Sequence, residues 1–218
     1  MDLSVFLKNV SIYAIPVLLA ITLHEVAHGW MARYFGDRTA EMLGRLSLNP
    51  LRHIDPIGTV LVPGLLLVIG GPMFGWAKPV PVATSALRNP RRAMIAVALA
   101  GPAANVVMAA LWCAVLSAIA RVHGNDTLDG WIALMAQAGI VINVVLAVFN
   151  LLPVPPLDGG RVLAGLLPPP LGARLEKIEP YGLFLVLGLS VLGLFGWLFD
   201  PAFRMIGRII MAALGSAA

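Results

Sequence analysis

Val10-Ser11-Ile12-Tyr13-Ala14-Ile15-Pro16-Val17-Leu18-Leu19-Ala20-Ile21-Thr22-Leu23-His24-Glu25-Val26-Ala27-His28 is an apolar run that closes on three ionisable side chains. It predicts a membrane helix over about 5–34, with Pro16 as a kink point and Gly36-Asp37 as the stop. On a helix, His24 and His28 share one face four residues apart, close enough to hold one metal ion. Zinc suits imidazole nitrogen in that arrangement. Glu25 is turned about a quarter-circle from His24 around the helix, so it is free to activate water rather than ligate. A five-residue pattern also arises by chance. Against chance stands the cost of ionisable groups in an apolar helix, roughly 2–3 kcal/mol for a central acidic one on insertion scales.

Working outward, the composition agrees with a bilayer. Of 218 residues, 59% are hydrophobic and only 12% charged, and the mean hydropathy is +0.89, well above that of soluble domains. The net charge of +4 is compatible with nucleic acid, but Arg33, Arg38, Arg45, Arg52, Arg88, Arg91 and Arg92 flank apolar segments. They read as topology signals, and no nucleic-acid partner is expected. The single cysteine, Cys113, excludes a disulfide framework or a thiolate cluster. Residues 1–23 resemble a signal peptide in outline but lack a small-residue cleavage site, so retention is expected. No fixed-period repeat occurs, and one membrane-embedded domain over 1–218 is expected, with a core at about 10–165 and a C-terminal span and tail at 180–218.

Beyond the first helix comes a polar stretch, 37–55, and then a short apolar segment, 57–71, containing Pro63 and Gly64. The alternating prolines of 75–82 predict an extended or polyproline-like piece. Long apolar runs follow at 93–120, 130–152 and 181–199, and the tail with Arg204 and Arg208 suits an interfacial helix. Residues 44–50 alternate apolar and polar and read equally as a strand able to pair with an extended peptide or as a plain connector. His53 and Asp55 read as an accessory metal site or, through Pro56, as a turn with Asp55 capping the next segment. His123 lies in a polar loop where exposure to solvent is expected.

A hydrolytic zinc needs a third protein ligand beside an open position. Most acidic residues lie at the chain's start or in polar connectors. Asp158 instead closes an apolar run, Asn150-Leu151-Leu152-Pro153-Val154-Pro155-Pro156-Leu157-Asp158-Gly159-Gly160, and is the best-placed carboxylate. An H-E-x-x-H in a membrane helix followed by N-x-x-P-x-P-x-L-D-G resembles the site-2 protease family of intramembrane zinc metalloproteases. Ala100-Gly101-Pro102 and Asn105 support the resemblance, which covers about 10–165.

The resemblance implies one zinc ion per chain held by His24, His28 and Asp158, with Glu25 as the residue that activates water. It also implies a transmembrane protein or peptide as substrate, and places Asn150 beside the metal. Asn150, and after it Asn105, are the candidates for holding substrate or an oxyanion. A buried amide satisfied between helices is the alternative for Asn150, and Asn105 and Asn143 read first as structural. Prolines before Asp158 free backbone carbonyls, tolerable at membrane depth only beside protein or a water-filled cavity. Gly159 and Gly160 let the backbone turn sharply or simply stop a helix.

Parity then constrains the topology. If 57–71 crossed fully, the ends carrying His28 and Asp158 would face opposite sides of the membrane. A re-entrant 57–71 brings them to one face and gathers the basic connectors 33–92 and 161–177 on that side. The expected fold is therefore an all-α polytopic membrane protein. It has about four full transmembrane helices, a re-entrant segment near 57–71 and short extended or β pieces. The active site is expected on the cytoplasmic side of a prokaryotic plasma membrane, with the N-terminus outside. The rival readings are a membrane zinc carrier or regulator without hydrolysis, and a silent scaffold. No appended soluble domain is expected within this chain, and the oligomeric state is not legible.

Overall fold

Three long apolar helices frame a computed structural model that describes residues 3–62, 65, 78–121, 127–182, 184–185, 188 and 192–215. Helix α1 spans Leu3–Tyr34, α2 Pro90–Arg121 and α3 Thr127–Asn150. Within them, Leu7–Tyr34, Pro90–Arg121 and Leu128–Asn150 are long and apolar enough to cross a membrane. The 32 residues of α1 or α2 rise about 48 Å, well beyond a hydrocarbon core of roughly 30 Å. Shorter helices follow: α4 at Asp158–Leu166, α5 at Pro169–Glu176 and α6 at Leu194–Ala213.

Local chemistry sets the ends of these elements. Helix α1 stops because Gly36 takes φ +109, which lets Asp37 N–H reach back to Ala32 O at 3.0 Å and satisfies a terminal carbonyl. Helix α2 opens on Pro90, whose missing N–H costs nothing at a first helical position. Asp55 caps a wide helical turn at Pro56–Leu61, accepting from Ile57 N–H at 2.9 Å and Gly58 N–H at 2.7 Å. Of the two roles expected for Asp55, the cap is therefore present.

The helices pack through alanines interleaved with branched aliphatic residues. Ala109 and Leu116 of α2, Ala136, Ile140 and Val144 of α3, and Ala202 and Ile206 of α6 form one buried cluster. A second joins Ala32 of α1 to Ala93 and Val97 of α2, with Leu87 between them.

Differences from the sequence reading are local. Among the described residues there is no strand. Residues 44–50 form no strand: Gly44 takes φ +64 and Arg45 N–H turns back to Ala40 O at 2.8 Å, so of the two readings the connector is present. The expected end at 199 is also displaced. Gly193, at φ +71, precedes a helix that runs without a break to Ala213, so the expected tail is part of α6. Most of 57–71, parts of 181–191 and the loop containing His123 lie outside the described residues.

Candidate metal centre

His24 and His28 sit one turn apart on α1, both buried, and Asp158 is the first residue of α4, also buried. Their donor atoms form a triangle: His24 Nε2 to His28 Nε2 is 3.0 Å, and Asp158 Oδ2 is 3.3 Å from the first and 3.4 Å from the second. Among the described residues, this is the group of His, Cys, Asp or Glu side chains whose ligand atoms converge. A tetrahedral ion about 2.0–2.1 Å from each donor sets them about 3.3 Å apart, so the triangle fits zinc.

Protons on the imidazoles strengthen the fit. His24 Nδ1 lies 2.6 Å from Asn105 Oδ1 and His28 Nδ1 lies 2.7 Å from Val97 O. Each acceptor needs a hydrogen on Nδ1, so in the neutral ring that binds a metal Nε2 carries the lone pair. Two lone pairs and a carboxylate oxygen then face one another, an arrangement that calls for a cation. Asp158 Oδ2 is buried without a hydrogen-bond partner among the described residues.

The surrounding residues explain how the chain makes this pocket. Asn105 is fully buried, and its Nδ2 donates to Asn143 Oδ1 at 2.9 Å and to Ala20 O at 3.3 Å. Asn143 in turn donates to Gly139 O at 2.8 Å. The line from His24 through Asn105 to Asn143 therefore crosses α1, α2 and α3. Asn150 is half-buried at the end of α3 and donates to Leu146 O at 3.0 Å.

Asp158 is held in place by close backbone packing. A β-carbon on Gly159 would overlap the carbonyls of Leu151 and Leu152, and one on Gly160 would come within 2.6 Å of the Val154 carbonyl carbon. Neither glycine has a positive φ. They serve by lacking a side chain where the 151–157 loop folds onto α4, not by turning the backbone away. At the far end of α4, Arg91 Nε donates to Gly165 O at 2.6 Å, and its Nη2 to Leu166 O at 3.1 Å and Leu167 O at 2.5 Å. The sequence marks Arg91 only as a topology signal; in the fold it caps α4 and ties it to α2.

Glu25 points to a different neighbour. Its Oε2 accepts from Val80 N–H at 2.9 Å, a contact no sequence pattern announced except through the prolines on either side. His53 is buried with Nε2 2.8 Å from Ser47 O, and it belongs to no converging ligand group among the described residues.

A zinc-type triad on buried helical positions, in a bundle of apolar helices, defines the class of membrane-embedded metallohydrolases. The family model described as peptidase family M50 matches residues 12–189. The chain is 41% identical over 184 residues to "Putative zinc metalloprotease YwhC" of Bacillus subtilis (strain 168), covering 82% of this chain and 80% of that protein. It is 32% identical over 184 residues to "Putative zinc metalloprotease Rip2" of Mycolicibacterium smegmatis, covering 84% of this chain and 68% of that protein. The protein of that name in Mycobacterium tuberculosis (strain H37Rv) is 31% identical over 191 residues, covering 84% of this chain and 71% of that protein. No solved structure matches. The chain belongs to peptidase family M50, the site-2 protease family. It is an integral membrane zinc metalloprotease.

Proposed function

We propose that this protein is an intramembrane endopeptidase whose zinc is held by His24, His28 and Asp158, one ion per chain, and whose water is activated by Glu25. The observation that carries it is the 3.0–3.4 Å convergence of two imidazole nitrogens and one carboxylate oxygen, with Glu25 on the same helix as both histidines. When bound, zinc polarises the scissile carbonyl and makes water a nucleophile near neutral pH. Glu25 takes the proton from the attacking water and passes it to the leaving amine. Asn105 and the Val97 carbonyl keep the imidazoles turned with Nε2 inward. Asn150 spends one amide hydrogen on Leu146 O and offers the other to a substrate oxygen.

The substrate is a transmembrane protein or peptide whose helix unwinds locally to present its carbonyl. The basic connectors support four complete spans, a re-entrant 57–71, an outside N-terminus and a site facing the cytoplasm of a prokaryotic cell across its plasma membrane. Residues 1–218 act as one peptidase domain.

Cleavage of a model transmembrane substrate by purified wild type and Glu25→Gln, with zinc measured in both, tests this reading. Glu25→Gln should keep its zinc and lose roughly 10²–10⁴-fold in kcat. Equal cleavage by the two removes Glu25 from the chemistry. A wild type that holds zinc and never cleaves is a carrier or regulator instead.

A further inference from the structure

A carboxylate on a long flexible side chain becomes an efficient proton acceptor only when one of its oxygens is aimed at the water it serves. Glu25 is half-buried on α1, where rotation about its side-chain bonds would otherwise be limited only by packing. Its Oε2 accepts from Val80 N–H at 2.9 Å, which lowers the basicity of that oxygen and favours Oε1 as the one that takes a proton. The donor is a peptide group. Pro79 and Pro81 have no N–H, so across 79–81 Val80 supplies the single backbone hydrogen.

That hydrogen is fixed from several sides. Lys78 N–H donates to His53 O at 2.9 Å, and Arg45 Nη2 donates to Lys78 O at 2.8 Å and Pro79 O at 3.3 Å. At the other end, Ala83 N–H donates to Asp37 Oδ2 at 2.6 Å. Between these anchors the Val80 side chain is buried against Gly29, where a β-carbon would come within 3.0 Å of Val80 Cγ1. Gly29 lies one turn beyond Glu25, so the bare helix surface there lets the extended segment lie close enough for the bond.

We infer that the peptide N–H of Val80, held by the proline-flanked segment 78–83, is a positioning group that orients Glu25 for proton transfer. The inference rests on the proposed role of Glu25. It makes the base oriented before substrate arrives, and it gives the alternation of Pro79 and Pro81 a purpose: a rigid strut with one donor. The side chain of Val80 contributes packing and the backbone contributes the orientation.

Replacing the donor separates these two contributions. Val80→Pro deletes the N–H and continues the proline-rich segment, whereas Val80→Ala keeps the N–H and trims the side chain. Each purified full-length variant would be assayed for kcat, KM and zinc content on the model transmembrane substrate, with Glu25→Gln beside it. Val80→Pro should lose about 10–100-fold in kcat, part of the general-base contribution, with KM and zinc content within about threefold of wild type. Val80→Ala should lose less than about threefold. Equal kcat in the two Val80 variants, whether both high or both low, overturns the inference while leaving Glu25 as the base. If Val80→Pro does not fold, Arg45→Ala decides: it frees the Lys78 and Pro79 carbonyls, and a kcat loss with KM and zinc held supports the strut, whereas wild-type kcat overturns it. A wild type with no cleavage that a chelator abolishes and zinc restores overturns both this inference and the proteolytic reading, whereas cleavage equal to that of Glu25→Gln overturns only the role of Glu25 and this inference with it.

Discussion

Gly101 of α2 lies directly against His28 of α1: a β-carbon at Gly101 would overlap His28 Nε2 and come within 2.6 Å of His24 Cε1. The space for the two imidazoles is thus made by a missing side chain on the facing helix. Gly101→Ala should push both imidazoles off the triangle and lower zinc affinity by about tenfold or more, the scale of other perturbations just outside a ligand shell. Gly130→Ala is the control, since nothing lies within 4 Å of its β-carbon. Competition against a zinc chelator, run on both proteins, measures the difference.

Asn105 fixes the proton of His24 through its Oδ1 at 2.6 Å. Asn105→Leu leaves His24 Nδ1–H without an acceptor in a buried place, and zinc affinity should fall roughly 10–100-fold. Asn143→Leu removes the next amide in the line, which touches neither imidazole. Its thermal midpoint should fall while its zinc affinity stays within a few-fold of wild type. If the two variants lose zinc alike, the orientation of His24 does not depend on Asn105.

Arg91 caps three carbonyls at the end of α4, and α4 begins at Asp158. The side chain is solvent-exposed, so the stability lost in Arg91→Ala should be modest, about 1 kcal/mol. Arg91→Lys should recover only part of it, because an ammonium cannot reproduce the planar fork. Thermal unfolding of the three proteins in one detergent orders them.

Asp37 gives stability a pH dependence. Burial pushes its carboxyl up, but hydrogen bonds from the Thr39 hydroxyl, Thr39 N–H and Ala83 N–H outweigh that and hold it below the usual carboxylate range. A carboxyl lowered on folding adds stability above its unfolded pKa, near 4, and the contribution is lost as pH falls through the folded value. Asp37→Asn sets an amide against the Ala83 or Thr39 donors and should cost about 1–3 kcal/mol at pH 7. The gap between the two thermal midpoints should narrow as the pH is taken below about 4. A gap that stays constant from pH 7 to pH 3 contradicts this account.

Zinc should also report on the fold. A ligand that binds only the native state stabilises it by about 4 kcal/mol at a thousand times Kd. Stripping the metal should therefore lower the thermal midpoint of wild type, and restoring zinc should raise it. Asp158→Ala, with one donor fewer, should respond far less at the same free zinc.

The sequence by itself determined the three long apolar helices and the class of enzyme, a zinc metalloprotease. The run from Val10 to His28 is apolar for long enough to be a membrane helix, and its period of 3.6 puts both histidines on one face. The apolar stretches around 93–120 and 130–152 gave α2 and α3 to within a few residues, and the run ending at Asp158 offered the carboxylate that the fold brings to the two imidazoles. These features are local: they depend on hydropathy, period and proline placement, all of which are readable along one chain. What only the tertiary structure decided is what each group touches. Arg91 as a cap for α4, Asp37 as a clasp on Ala83, Gly159 and Gly160 as points of close packing, and Val80 N–H on Glu25 all join residues far apart in the sequence or act through backbone atoms. A side-chain pattern does not record a backbone donor, and the room that Gly101 leaves for His28 exists only once α1 and α2 have packed.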